Sequence, residues 1–95
     1  MTRRVDFVTD ARGRRPSVVI ALAQRWLPLV PPGGLLEVLA TDPEAEMPLR
    51  AWTHASGDAL VGRLLDGDVY HFIIRRADVH AEAPPGSTEM LAPAA

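Results

Sequence analysis

Chemistry in this chain has to come from a short set of side chains. Arg12, Arg14 and Arg15 stand within four positions, directly before Pro16-Ser17, where a helical pattern begins. Guanidinium groups beside the N-terminus of a helix suit an anion, because the first backbone N–H groups lack intrahelical acceptors and the macrodipole adds partial positive charge. A phosphate, another small anion or an acidic loop of a protein partner would fit there; the alternative is a solvated basic loop. Ser17 offers a hydroxyl, but no His or Asp stands near it in sequence to activate it, and no Gly-x-Ser-x-Gly motif is present. Its place at a helix start already accounts for it. His54, His71 and His80 do not have the compact spacing of metal ligands, so neither a metal nor a cofactor is expected. For His71, solvent or a cross-strand partner, Arg63 or an acid, is the expected environment.

The chain of 95 residues contains no cysteine. Disulfides, thiolate metal sites, cysteine nucleophiles and persulfides are therefore all excluded within it. Formal net charge is −2, unevenly placed: residues 1–30 carry six Arg and two Asp, whereas residues 31–95 carry four Arg and ten acids. An acidic balance argues against an extended nucleic-acid surface. Apolar runs fall short of the ~20 residues of a membrane span, and Met1-Thr2-Arg3-Arg4 leads into charge rather than an apolar signal core. A cytoplasmic protein without a membrane partner is the expectation; the oligomeric state is left open.

The elements that position the arginine loop follow from periodicity. Residues 4–9, around Val5-Asp6-Phe7-Val8, read as a first strand ending in the turn-forming Thr9-Asp10-Ala11-Arg12-Gly13. Val19, Leu22, Ala23 and Trp26 share one face of a helix that opens with Pro16 and stops near Leu27, before Pro28. Pro31-Pro32-Gly33-Gly34 is a turn, and Leu35–Ala40 is a nearly continuous apolar run suited to a central strand. Asp42-Pro43 has the form of an N-cap followed by a first helical residue. Pro48 then either kinks a helix begun at residue 43 or marks a helix that truly begins near Met47. Leu49, Trp52 and Ala55 or Ser56 share that helix's face, and Gly57 ends it. Trp26 and Trp52 read as core or its rim.

Residues 59–65 and 69–76 are strand-like runs joined by Asp66-Gly67-Asp68, a strong hairpin signal. Beyond Arg76 the pattern decays, and residues 79–95 read as a disordered Ala/Pro-rich tail. The expected fold is an α/β two-layer sandwich, β-α-β-α-β-β, with a four-stranded mixed sheet and both helices on one face; residues 1–78 form the domain.

The stretches Asp10-Ala11-Arg12-Gly13-Arg14-Arg15-Pro16-Ser17, Pro32-Gly33, Leu35 to Pro43, Leu49-Arg50-Ala51-Trp52 and Ile73-Ile74-Arg75-Arg76 resemble the TusA/SirA family of sulfur carriers. That family's pattern is Asp-x-x-Gly-x-x-Cys-Pro-x-Pro, then Pro-Gly, an apolar strand ending in Asp-Pro, a helix opening Ile-Pro-x-Trp/Phe and a hairpin closing on Ile-Arg-Lys. The match spans about residues 5–76. The resemblance implies a cysteine at the start of the first helix that accepts sulfur as a persulfide and passes it to a partner. Here Pro16 stands at the cysteine position in the ungapped register, with Ser17 and Val19 at the two prolines; a one-residue slip puts Arg15 there and keeps Pro16 as the first proline. Ser17 is no substitute, since a hydroxyl is far less acidic than a thiol and forms no stable persulfide equivalent. The implied role is a non-catalytic accessory or docking module for a sulfur-handling or biosynthetic protein, using Arg12, Arg14, Arg15 and Ser17. The alternative is a component of an enzyme repurposed for other chemistry, binding an anionic ligand at that loop.

Overall fold

In the computed structural model, which describes residues 4–78, β1 (Phe7–Ala11) and β2 (Leu35–Ala40) lie side by side and run parallel. A parallel neighbour cannot be reached through a tight turn, so the chain crosses over through a helix, α1 (Pro16–Trp26). Beyond β2, a 3-10 turn at Pro43–Ala45 leads into α2 (Glu46–Ser56), which Gly57 closes in the left-handed conformation with φ 84°. β3 (Ala59–Asp66) and β4 (Val69–Arg75) form an antiparallel hairpin whose turn uses Gly67 at φ 63°. The sheet order is β1-β2-β4-β3, with β4 antiparallel to both neighbours.

One face of this mixed sheet is covered by both helices. Ala11, Leu36, Val38, Ala40, Phe72 and Ile74 point to it and form a single buried cluster with Val19 and Ala23 of α1 and Leu49 of α2. The alternation is regular: in β2, Leu36, Val38 and Ala40 are buried while Leu35, Glu37 and Leu39 are only partly covered. Trp26 and Trp52 pack against the cluster from its margin, Trp26 with its ring 6.1 Å from that of Phe7. The expected two-layer architecture and element order are thus observed.

Several boundaries differ, each for a local reason. β1 begins and ends later than residues 4–9, because Phe7, Thr9 and Ala11 turn to the helix-covered face of an edge strand whose alternate positions, Val8 and Asp10, face solvent. Asp6 precedes it as a clip: its N–H donates to the Leu35 carbonyl and its carboxylate accepts from the Leu35 N–H, both at 2.8 Å. After Trp26 the chain continues into a 3-10 turn, Leu27–Leu29, that accommodates Pro28 in its first positions. α2 opens at Glu46, so Pro48 falls in its first turn, where an N–H would have no acceptor anyway. Of the residues expected on the inner face of α2, Ala55 and Ser56 are exposed; Thr53, one turn beyond Leu49, is buried instead. The Ser56 hydroxyl turns to the Asp58 carboxylate at 2.6 Å. β4 ends at Arg75 rather than Arg76, whose guanidinium donates to the carbonyls of Pro28 and Val30. The tail expected at residues 79–95 lies outside the described residues.

α2 yields a direct test of this packing. Leu49 is fully buried, whereas Met47, in the same helix, is 74% exposed. Leu49→Ala should lower unfolding free energy by about 2–5 kcal/mol, and Met47→Ala should stay within about 0.5 kcal/mol, as read from urea midpoints with unchanged slope.

Candidate functional site

Because β1 and β2 are parallel, the loops that follow them leave the same edge of the sheet. The first carries the arginines; the second carries Thr41 and Asp42. Crevices beyond the carboxyl ends of parallel strands are where α/β folds place their sites, since helix N-termini converge there.

The path from β1 into α1 is set residue by residue. Gly13 takes φ 76°, which permits the reversal, and its N–H donates to the Thr41 hydroxyl at 2.9 Å, joining the two loops. Arg14 donates its N–H to the Ala11 carbonyl at 3.2 Å. Arg15 is extended, with φ −72° and ψ 161°, and is the N-cap; its carbonyl accepts from the N–H groups of Val18 and Val19. Pro16 is the first helical residue. No side chain caps this end. Ser17 is exposed, and its hydroxyl makes no hydrogen bond among the described residues, so it does not serve the helix as a cap. In the second loop Asp42 does serve as a cap, accepting from the Glu44 N–H at 2.9 Å and bearing out the Asp42-Pro43 signature.

The three arginines are not equivalent. Arg12 forms a fork on Asp10, with Nε to Oδ1 at 2.9 Å and Nη2 to Oδ2 at 2.8 Å, and its backbone N–H donates to Oδ1 as well. These bonds, the side-chain fork foremost, hold the Asp10 carboxyl at a pKa of about 2, and the same pair raises that of Arg12. Locally the two charges cancel. Arg14 and Arg15 are exposed and have no carboxylate partner among the described residues, so the positive charge offered beside the uncapped helix start is theirs.

Sequence reasoning missed the fork because Asp10 read as a turn former. It also left open the partner of His71, which is Glu37: Nδ1 stands 2.6 Å from Oε2 on the sheet face away from the helices. Glu37 is the lone charge in the run Leu35–Ala40, and that was the available signal. Arg63, the other partner considered for His71, instead holds Glu46 at 2.7 Å while its guanidinium lies over the Tyr70 ring. Arg50 reaches the same carboxylate at 2.9 Å, and the two arginines lower the pKa of Glu46, Arg63 more strongly. His54 is exposed in the last turn of α2, and His80 lies outside the described residues. A hollow of about 330 Å³, lined by Leu27, Pro28, Trp52, Ser56, Asp58 and Arg76 among others, lies at the opposite end, by the helix C-termini, and contains none of the loop residues.

Comparisons with known proteins place the arrangement in context. No family model matches the chain. It is 32% identical over 71 residues to a Bacillus subtilis (strain 168) protein that bears the name sulfur carrier protein YrkI, covering 75% of this chain and 95% of that protein. A crystal structure of a SirA-like protein from Desulfitobacterium hafniense superposes with a TM-score of 0.66 at 19% identity, over 75% of this chain and 97% of that one. The second likeness shows the fold. No helix among the described residues is long and apolar enough to cross a membrane.

Titration tests the fork. Asp10 has a folded pKa below the ordinary 3.8, so whatever stability the fork adds is present above the ordinary value and lost as pH falls toward 2. In an NMR titration the Asp10 carboxyl should show a midpoint near 2, and Arg12→Ala should return it toward 3.8. An unchanged midpoint in the variant would show that the fork does not hold the charge.

Proposed function

The chain belongs to the TusA/SirA-like sulfur carrier family, and on that premise we propose that it is a member that does not itself carry sulfur: a non-catalytic accessory or docking module for a sulfur-handling or biosynthetic protein. The observation that carries this reading is the start of α1. The family's cysteine precedes a proline at that point. Here the residue before the first helical proline is Arg15, and no thiol exists anywhere in the chain.

The capping geometry supports the shifted register. Proline is favoured at the first helical position, because its missing N–H would be unsatisfied there and its fixed φ suits the helix. In a Cys-Pro pair the cysteine is then the N-cap, and Arg15-Pro16 has that disposition. A thiol at such a position is acidified by the helix end and by neighbouring cations. What remains without it is an environment suited to an anion, formed by Arg14, Arg15 and the uncapped start at Ser17. That environment fits an acidic or persulfide-bearing loop of a partner.

A second reading, a component of an enzyme repurposed to bind a small anionic ligand, draws support from the same uncapped end. It differs in needing no family partner.

The test uses a cysteine desulfurase with radiolabelled cysteine. The wild-type chain should acquire no reductant-labile label. Arg15→Cys should acquire it: the variant thiolate attacks the outer sulfur of the donor persulfide, an S–S bond forms on the variant, and the donor cysteine leaves as thiolate. Pro16→Cys, which removes the helix-opening proline, should accept at least about tenfold less label. Stoichiometric label on the wild-type chain would overturn the reading, and the reverse order of the two variants would restore the ungapped register.

A further inference from the structure

An antiparallel sheet with one face in water usually alternates apolar-in and polar-out. The face of this sheet turned away from the helices departs from that rule. Its outward cross-strand rows are Leu35–Arg75–Ala59, Val8–Glu37–Ile73–Gly62, Asp10–Leu39–His71–Leu64 and Val69–Asp66. Apolar side chains fill most of these positions, with Val8 55% and Leu64 62% exposed. The two polar residues at the centre, Glu37 and His71, are bonded to each other rather than left for water. A shallow depression of about 280 Å³ opens over Gly62, which has no Cβ, between Ile73, His71 and Val5, and Leu64 stands beside it as a knob.

We propose that this face pairs with the same face of a second copy of the chain, related by a two-fold axis. Charge selects that occupant. Arg75 lies in the first row and Asp66 in the last, both exposed and both without an ion-pair partner among the described residues. Val69, beside Asp66, and Arg75 are six residues apart along β4, a span of roughly 20 Å. An isologous contact repeats every pairing twice. Antiparallel docking of two copies therefore sets each Arg75 against the other copy's Asp66, and each Leu64 over the other copy's Gly62 depression, with the Glu37–His71 pairs at the axis.

Area sets the strength. Four strands about 4.8 Å apart and roughly 20–25 Å long present on the order of 400–500 Å² of face per copy, below the ~800 Å² per partner of a standard interface. The dimer is accordingly weak and reversible, and it leaves the arginine loop, which lies at the sheet edge, free for another protein.

Sedimentation velocity of the full chain tests this. The weight-average sedimentation coefficient should rise from monomer toward dimer between about 10 µM and about 1 mM. Leu64→Glu should abolish the rise. Asp66→Arg and Arg75→Asp should each weaken association about tenfold, while an equimolar mixture of the two should associate as well as wild type, because every facing pair is then opposite in sign. All three side chains are exposed, so unchanged unfolding midpoints establish that each variant is folded. A wild-type chain that stays monomeric to 1 mM overturns the proposal, as does a dimer indifferent to Leu64→Glu or a mixture no stronger than the single variants.

Discussion

The parallel pairing of β1 with β2 obliges the chain to leave the sheet at one end of the strands, cross back through a helix and re-enter at the opposite end. From that constraint the start of α1 and the loop after β2 fall at the same end, and the Gly13–Thr41 hydrogen bond ties them. A second crossover, through α2, carries the chain from β2 to β3, which runs in the same direction; β4 then returns between them antiparallel to both, and Phe72 and Ile74 complete the covered face. Residues 12–17 are thus held by the fold as a whole, although none of them is buried.

On the proposed reading, that end keeps the physical conditions for an anionic sulfur species, while the chain has no thiol to bear it. A helix N-terminus without a side-chain cap, beside two guanidinium groups with no carboxylate partner among the described residues, would acidify a thiol; on the proposed reading, with Arg15 and Pro16 there instead, it attracts charge from outside. The Asp10–Arg12 fork narrows the attraction. By cancelling one arginine it leaves Arg14 and Arg15 as the positive pair next to the helix, rather than three like charges in mutual repulsion.

Most of the fold was legible in the sequence, because its signals are local. The 3.6-residue spacing of Val19, Ala23 and Trp26, the apolar run of β2 and the Asp66-Gly67 turn each need only near neighbours. The misread boundaries came where a local signal has two meanings. Thr9-Asp10 looks like a turn, yet forms the end of an edge strand whose outward positions can be polar. Pro48 looks like a helix breaker, yet does no harm in a first turn. The site was half legible: composition established the missing thiol, but spacing leaves the registers at Arg15 and Pro16 both open and does not report the pairing of Arg12 with Asp10. The Glu37–His71 pair joins residues 34 apart in sequence and depends on β4 lying beside β2, a contact no local pattern reports.

The central claim is that a family docking surface persists without the sulfur-bearing atom, and competition measures it most directly. Sulfur transfer from a cysteine desulfurase to a cysteine-bearing family member would be followed while this chain is added in increasing excess. The account requires dose-dependent inhibition that weakens as salt is raised and is lost when Arg14 and Arg15 are both replaced by Ser. Transfer at an undiminished rate under a large excess of the folded chain would contradict it.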